Sequence, residues 1–295
     1  MVVKSIHRLW LRTPILVRAL LTGSVVSIAG SAPWALLIAT NTRRLSAWPW
    51  AVPVMAIYLW FYWLYVVRGW GWPRSTRATR RRNARANSLT MDTWGLALLA
   101  GMLGLAGVLL LQGVLSRVVT LPQQRELDIS KYPLATVVLW VAMGAIVAGV
   151  VEETSFRGYL QGPIERRHGP VIAILLTGVL FAFTHFSHPE VGLVLLPYYI
   201  AVAAVYGGLA YATNSTLPSM VLHAGGNMFS ALDLFTRGRS EWQLGTAPKP
   251  LIWQSGPDAA FWGTLAALLV ICALGAWAYG ALRAAARAGR LLDAA

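Results

Sequence analysis

About eight long apolar runs, each of 18 or more residues and almost free of charge, constrain this chain more than anything else in it. They fall at roughly 16–39, 49–67, 94–115, 134–156, 170–187, 191–212, 216–236 and 259–281. An apolar helix of that length matches the hydrocarbon thickness of a bilayer, where each backbone polar group must be satisfied within its own segment. The expected fold is therefore all-α: a polytopic membrane helical bundle of about eight transmembrane helices, forming one domain over 1–295. Composition agrees, because only 12% of residues are charged against about a quarter in a soluble domain. Too few polar groups remain to cover a water-exposed surface.

The net charge of +14 would suit nucleic acid if it lay on one face, but it lies between the apolar runs. With the N-terminus inside, the inner segments hold Lys4, Arg8, Arg12 and Arg18, the run from Arg68 to Arg85, then Arg157, Arg166, Arg167, Arg283, Arg287 and Arg290. These make 17 of the 25 basic residues, the bias that retains both termini in the cytoplasm. A bacterial plasma membrane is the expected location, and nucleic acid is not an expected partner. The first run reads as an uncleaved signal-anchor, since its apolar part exceeds a signal-peptide core. Arg74 to Arg85 reads as a topology determinant that attracts anionic lipid headgroups. Trp48, Trp50, Trp60, Trp63, Trp70 and Trp72 around the second run read as an interfacial belt. The stretch from Arg237 to Asp258 reads as a short outer cap. Cys272 is the only cysteine, so neither a disulfide nor a thiolate metal site is expected.

Ionisable groups inside spans are costly and mark function. Three clusters meet this test. Glu152-Glu153-Thr154-Ser155-Phe156-Arg157 ends the fourth run. Two adjacent carboxylates do not both ionise cheaply in a low dielectric, which suits one of them to general-base work. Arg157, one helical turn beyond Glu153, is placed to pair with it. Glu152 is then the base and Glu153 the partner of Arg157, an assignment that the residues alone also allow in reverse. Phe181 and His185 share a helix face, as do His223 and Asn227. Gly225 and Gly226 between the latter pair read first as a close-packing face, and second as room for substrate backbone beside His223. His7 and His168 fall in loops, His188 at a membrane boundary, and Asp233 near the far end of its run, so all four are set aside.

The pattern Glu-Glu-x-x-x-Arg, Phe-x-x-x-His, His-x-x-x-Asn, filled by Glu152, Glu153 and Arg157, by Phe181 and His185, and by His223 and Asn227, resembles that of the CPBP family. These are the CAAX proteases and bacteriocin-processing enzymes also called the Abi family. The motif-bearing core covers about 134–236, and the N-terminal helices over 16–115 carry no motif. The resemblance implies an intramembrane endopeptidase that cleaves a membrane-associated or lipid-modified, C-terminal-tail protein substrate with water activated by Glu152. His185, with His223 and Asn227, would stabilise the oxyanion. No metal is the preferred reading; a zinc held by His185, His223 and Glu152 is the second version, weakened by Asn227 as a poor zinc ligand and by the lack of a His-Glu-x-x-His helix. The alternatives are a non-proteolytic scaffold or immunity-type protein, and a transporter using Glu152 and Glu153 as a cation site. The latter lacks an inverted repeat.

Depth is the difficulty in this scheme. Glu152 ends one run while His185 ends the next on the opposite side, so the fourth helix is expected to continue through Arg157 toward Pro163.

Overall fold

The computed structural model describes residues 10, 12–121, 128–185, 189–238 and 249–292. His7, His188, Lys4 and Arg8, and most of the stretch read as an outer cap, lie outside them. The described residues form helices and no strand: α1 (Ile15–Arg43), α2 (Ala51–Tyr62), α3 (Arg77–Ala84), α4 (Met91–Val118), α5 (Leu134–Glu152), α6 (Gly162–His168), α7 (Pro170–Thr184), α8 (Pro189–Thr213), α9 (Leu217–Arg237), α10 (Ile252–Ser255) and α11 (Ala259–Leu292). This is a polytopic helical bundle.

Each of the eight apolar runs becomes helical, but not all are equally suited to cross a membrane. Five helices are long and apolar enough, those within 15–43, 91–118, 134–168, 193–213 and 259–288, while Ala51–Val67 and Pro170–Thr184 are shorter. In α9 the polar Ser219, His223, Asn227 and Asp233 dilute the apolar character of its 21 residues. Asp233 pairs with Arg237 across 3.6 Å at the end of that helix, away from the other polar residues.

The fourth helix does run on. From Leu134 to His168 the chain is helical over 35 residues, and Glu153–Gln161 winds as a π-helix whose nine residues are all buried. Wide turns of this kind are rare and concentrate at functional sites. Gly169, at φ +81°, then reverses the chain into α7. Glu153 lies 15 positions before His168 and His185 lies 15 positions after Pro170, so the hairpin returns the two to similar depth. Arg157, counted above among loop charges, is in fact completely buried within this helix. It contributes nothing to a positive-inside bias.

At one end of the bundle Asn41, fully buried, holds the α1–α2 turn. Its amide donates to the carbonyls of Leu45 and Trp48, and its Oδ1 accepts from Ala51 N and from Trp140 Nε1. At the other end the arginine-rich segment is woven into the core. Arg85, in the left-handed region at φ +53°, forms a two-pronged pair with Glu165, both contacts at 3.1 Å, and donates to Ala210 O at 2.8 Å. Glu165 also accepts from Gln161 Nε2, which reaches Gly207 O. The backbone of α3 lies so close to the π-helix that a Cβ on Gly158 would stand 2.6 Å from Asn83 O. Along the far side, α4 and α11 pack together and Arg117 joins Asp258 at 3.0 Å. The Phe261 N–H and then Arg117 hold the Asp258 carboxyl below the usual carboxylate range, as suits a helix N-cap.

Candidate active site

Glu153 and Arg157 are both fully buried, with Arg157 Nε 3.4 Å from Glu153 Oε2. The guanidinium lies over the rings of Phe181 at 4.8 Å and Tyr206 at 5.5 Å, and none of its nitrogens has a hydrogen-bond acceptor among the described residues. Such a charge is tolerable in the core only because its counter-charge is fixed beside it.

His223 joins the two carboxylates. Its Nδ1 is 2.8 Å from Glu153 Oε1, and its Nε2 is 3.7 Å from Glu152 Oε2. With Glu153 ionised beside Arg157, the Nδ1–H is the donor. The imidazole also stacks on Tyr206, ring centroids 5.1 Å apart and planes 8° from parallel, which fixes the direction of both nitrogens. Glu152 differs from its neighbour in exposure, its side chain being 24% exposed, while the Oε2 atom of each carboxylate is without a hydrogen-bond partner among the described residues.

This convergence depends on close approach of α5 and α9. A Cβ on Gly149, one turn before Glu152, would stand 2.7 Å from Met220 O and 3.0 Å from Ala224 Cβ. Gly149→Ala is therefore expected to push α9 outward, at a cost of about 1–3 kcal/mol. Thermal unfolding in detergent checks this, and an unchanged midpoint would show that the helices separate freely.

His185 ends α7. Its Nδ1 lies 2.8 Å from Phe181 O, so in the neutral ring the Nδ1–H is committed to that carbonyl and Nε2 is an acceptor. Donation to an oxyanion, the role the family resemblance implies, then requires the protonated ring. Its ring packs 4.4 Å from Phe181 and 5.0 Å from Tyr199.

His185, His223, Asn227, Phe181, Tyr199 and Tyr206 line a cavity of about 720 Å³ whose remaining wall is mostly apolar side chains of α4, α8 and α9. The glutamates are not in that lining, and His223 links them to it. Gly225 and Gly226 also line the cavity; a Cβ at Gly225 would meet nothing within 4 Å, and one at Gly226 only Tyr206 Oη at 3.5 Å. Among the described residues Gly225 packs against no other helix, and the two glycines leave space beside His223, the second of their two expected roles. Tyr199 and Tyr206 carry no distinguishing signal in the sequence. Seven residues apart on α8, they face one side, yet nothing distinguishes such tyrosines from core packing until the histidines are seen against them.

Among the described residues no three His, Cys, Asp or Glu side chains come together so as to hold a metal ion, and the set Glu152, His185 and His223 is no exception.

Residues 134–229 match a protein-family model described as Rce1-like, the type II CAAX prenyl endopeptidases. The match covers α5 through most of α9, about a third of the chain, and includes every motif residue named above. This segment is similar to the Rce1-like endopeptidases, consistent with the CPBP and CAAX protease family. Neither the curated proteins nor the solved structures include a match to the chain.

Proposed function

We propose that this Rce1-like protein is an intramembrane endopeptidase that hydrolyses a peptide bond of a membrane-associated protein substrate by glutamate-activated water, without a metal. The observation that carries the reading is the placement of His223 between Glu152 and Glu153 at the wall of a 720 Å³ cavity. The family description points to substrates cut near a lipid-modified C-terminal tail, and the apolar wall of the cavity suits such a segment.

Glu152 is the general base, because its side chain is partly exposed while Glu153 is fully buried and engaged by Arg157 and His223. Water adds to the scissile carbonyl carbon as its proton passes to Glu152, and the carbonyl becomes an oxyanion. His185 accepts a hydrogen bond from the water through Nε2 and so aims it. Donors to the oxyanion are the Asn227 amide and, when protonated, His223 Nε2. Collapse of the tetrahedral intermediate breaks the C–N bond, and the leaving amine takes the proton back from Glu152. Such preorganised donors in a dry site stabilise developing charge strongly. Both termini lie in the cytoplasm, by the basic residues that remain in loops.

Purified protein in detergent with quenched-fluorescent peptides tests the reading. Cleavage should persist after dialysis against a strong chelator and disappear in Glu152→Ala and His185→Ala. Cleavage lost on chelation and restored by zinc would overturn the metal-free mechanism. Cleavage surviving both substitutions would overturn the site itself.

A further inference from the structure

The arginine-rich run, expected as a whole to set topology and attract lipid headgroups, is divided in the structure. Arg80 and Arg85 are buried, at 7% and 4% exposure, and are used internally. Arg80 Nη2 donates to the carbonyls of Gly69 and Trp70 at 3.0 Å and of Gly71 at 3.5 Å, its Nη1 donates to Thr76 Oγ1 at 2.6 Å, and its guanidinium lies 4.1 Å over the Tyr65 ring. The loop after the apolar helix Ala51–Val67 is thereby held in one shape.

That loop frames a second cavity of about 720 Å³, lined by Gly69, Trp70, Gly71, Trp72, Arg74 and Arg77. Its chemistry is specific in three ways. Two guanidinium side chains, Arg74 and Arg77, are exposed and have no carboxylate partner among the described residues. No acidic side chain lines the cavity. The three carbonyls that would repel an anion accept instead from Arg80, whose own charge lies behind them. Trp70 and Trp72 are 60% and 85% exposed, at the end of an apolar helix where tryptophan prefers the headgroup layer. Planar guanidinium forks match phosphate oxygens.

We infer that the Gly69–Arg77 loop binds the phosphate of an anionic phospholipid headgroup. The ligand class follows from two paired requirements, a phosphate for Arg74 and Arg77 and an interfacial depth for Trp70 and Trp72. This site is separate from the cavity beside His223 and does not depend on the proteolytic reading.

The full chain, purified in detergent, is titrated with phosphatidylglycerol or with phosphatidylcholine of the same acyl chains, and bound lipid is read by native mass spectrometry. One phosphatidylglycerol should be retained in preference to phosphatidylcholine. Arg74→Gln with Arg77→Gln should weaken retention roughly thirtyfold, at about fivefold per charge, while glutamine preserves the aliphatic stem of Arg77 against Gly69. The control pair Arg82→Gln with Arg167→Gln removes equal charge from exposed positions outside the cavity and should leave retention unchanged. Equal losses in the two pairs would reduce the site to diffuse attraction and overturn the inference. Equal retention of phosphatidylcholine, or displacement of the lipid by millimolar inorganic phosphate, would overturn it as well.

Discussion

Glu152→Gln is expected to lower kcat for peptide cleavage by about 10²–10⁴-fold while leaving KM and the thermal midpoint nearly unchanged. Glutamine has almost the same shape, but it cannot take a proton from water. Because the Glu152 side chain is partly exposed and pairs with no arginine or lysine among the described residues, the change strands no permanent buried cation. A fall in kcat at constant KM marks a group that acts in the transition state rather than in substrate binding. Glu153→Gln should behave differently, with its main effect on stability, because it removes the counter-charge of a buried guanidinium. If Glu153→Gln instead abolished cleavage in a stable protein while Glu152→Gln stayed active, the two roles would be exchanged.

Arg157→Met is expected to destabilise the protein by about 3–5 kcal/mol, the usual consequence of stranding one member of a buried ion pair. Methionine fills much of the arginine's volume, so the loss comes mainly from Glu153, left charged and fully buried with His223 as its remaining partner. The double variant Glu153→Gln with Arg157→Met should recover a large part of that loss, since a buried pair replaced by neutral groups of similar size is often tolerated. Arg157→Lys keeps the charge but loses the planar face that rests on Phe181 and Tyr206, and should fall between the two. Chemical or thermal unfolding in detergent gives the ranking. A single variant as stable as the parent would mean that Glu153 does not depend on Arg157.

The helical class and the polar clusters were legible because they depend on local patterns. Runs of apolar residues dictate membrane helices whatever surrounds them, and a spacing of four puts Phe181 with His185, and His223 with Asn227, on one face of a helix. The continuation of the fourth helix was legible too, because depth along a helix is a matter of counting. What the sequence did not carry was contact between distant residues. The bond from His223 to Glu153 spans 70 positions, and the bonds from Arg85 to Ala210 and Asn214 span 125 and 129. Arg157 illustrates the difficulty: its spacing from Glu153 is legible, but its complete burial against Phe181 and Tyr206 depends on helices far along the chain. Gly149 and Gly225 are equally indistinguishable in sequence, yet one admits a neighbouring backbone and the other faces open space.

The grip of Arg85 on the bundle also bears on how this protein can be divided. The matched segment 134–229 looks like a unit that might be expressed by itself. Cut at that boundary, it would lose the guanidinium that covers Glu165 and Ala210 O, and the Ala84 and Arg85 carbonyls that accept from Thr216. The N-terminal third carries no motif, yet it supplies the polar groups that close one end of the motif-bearing helices. Inheritance of the chemistry and integrity of the fold have different borders in this chain, and a truncation drawn on the first would cut through the second.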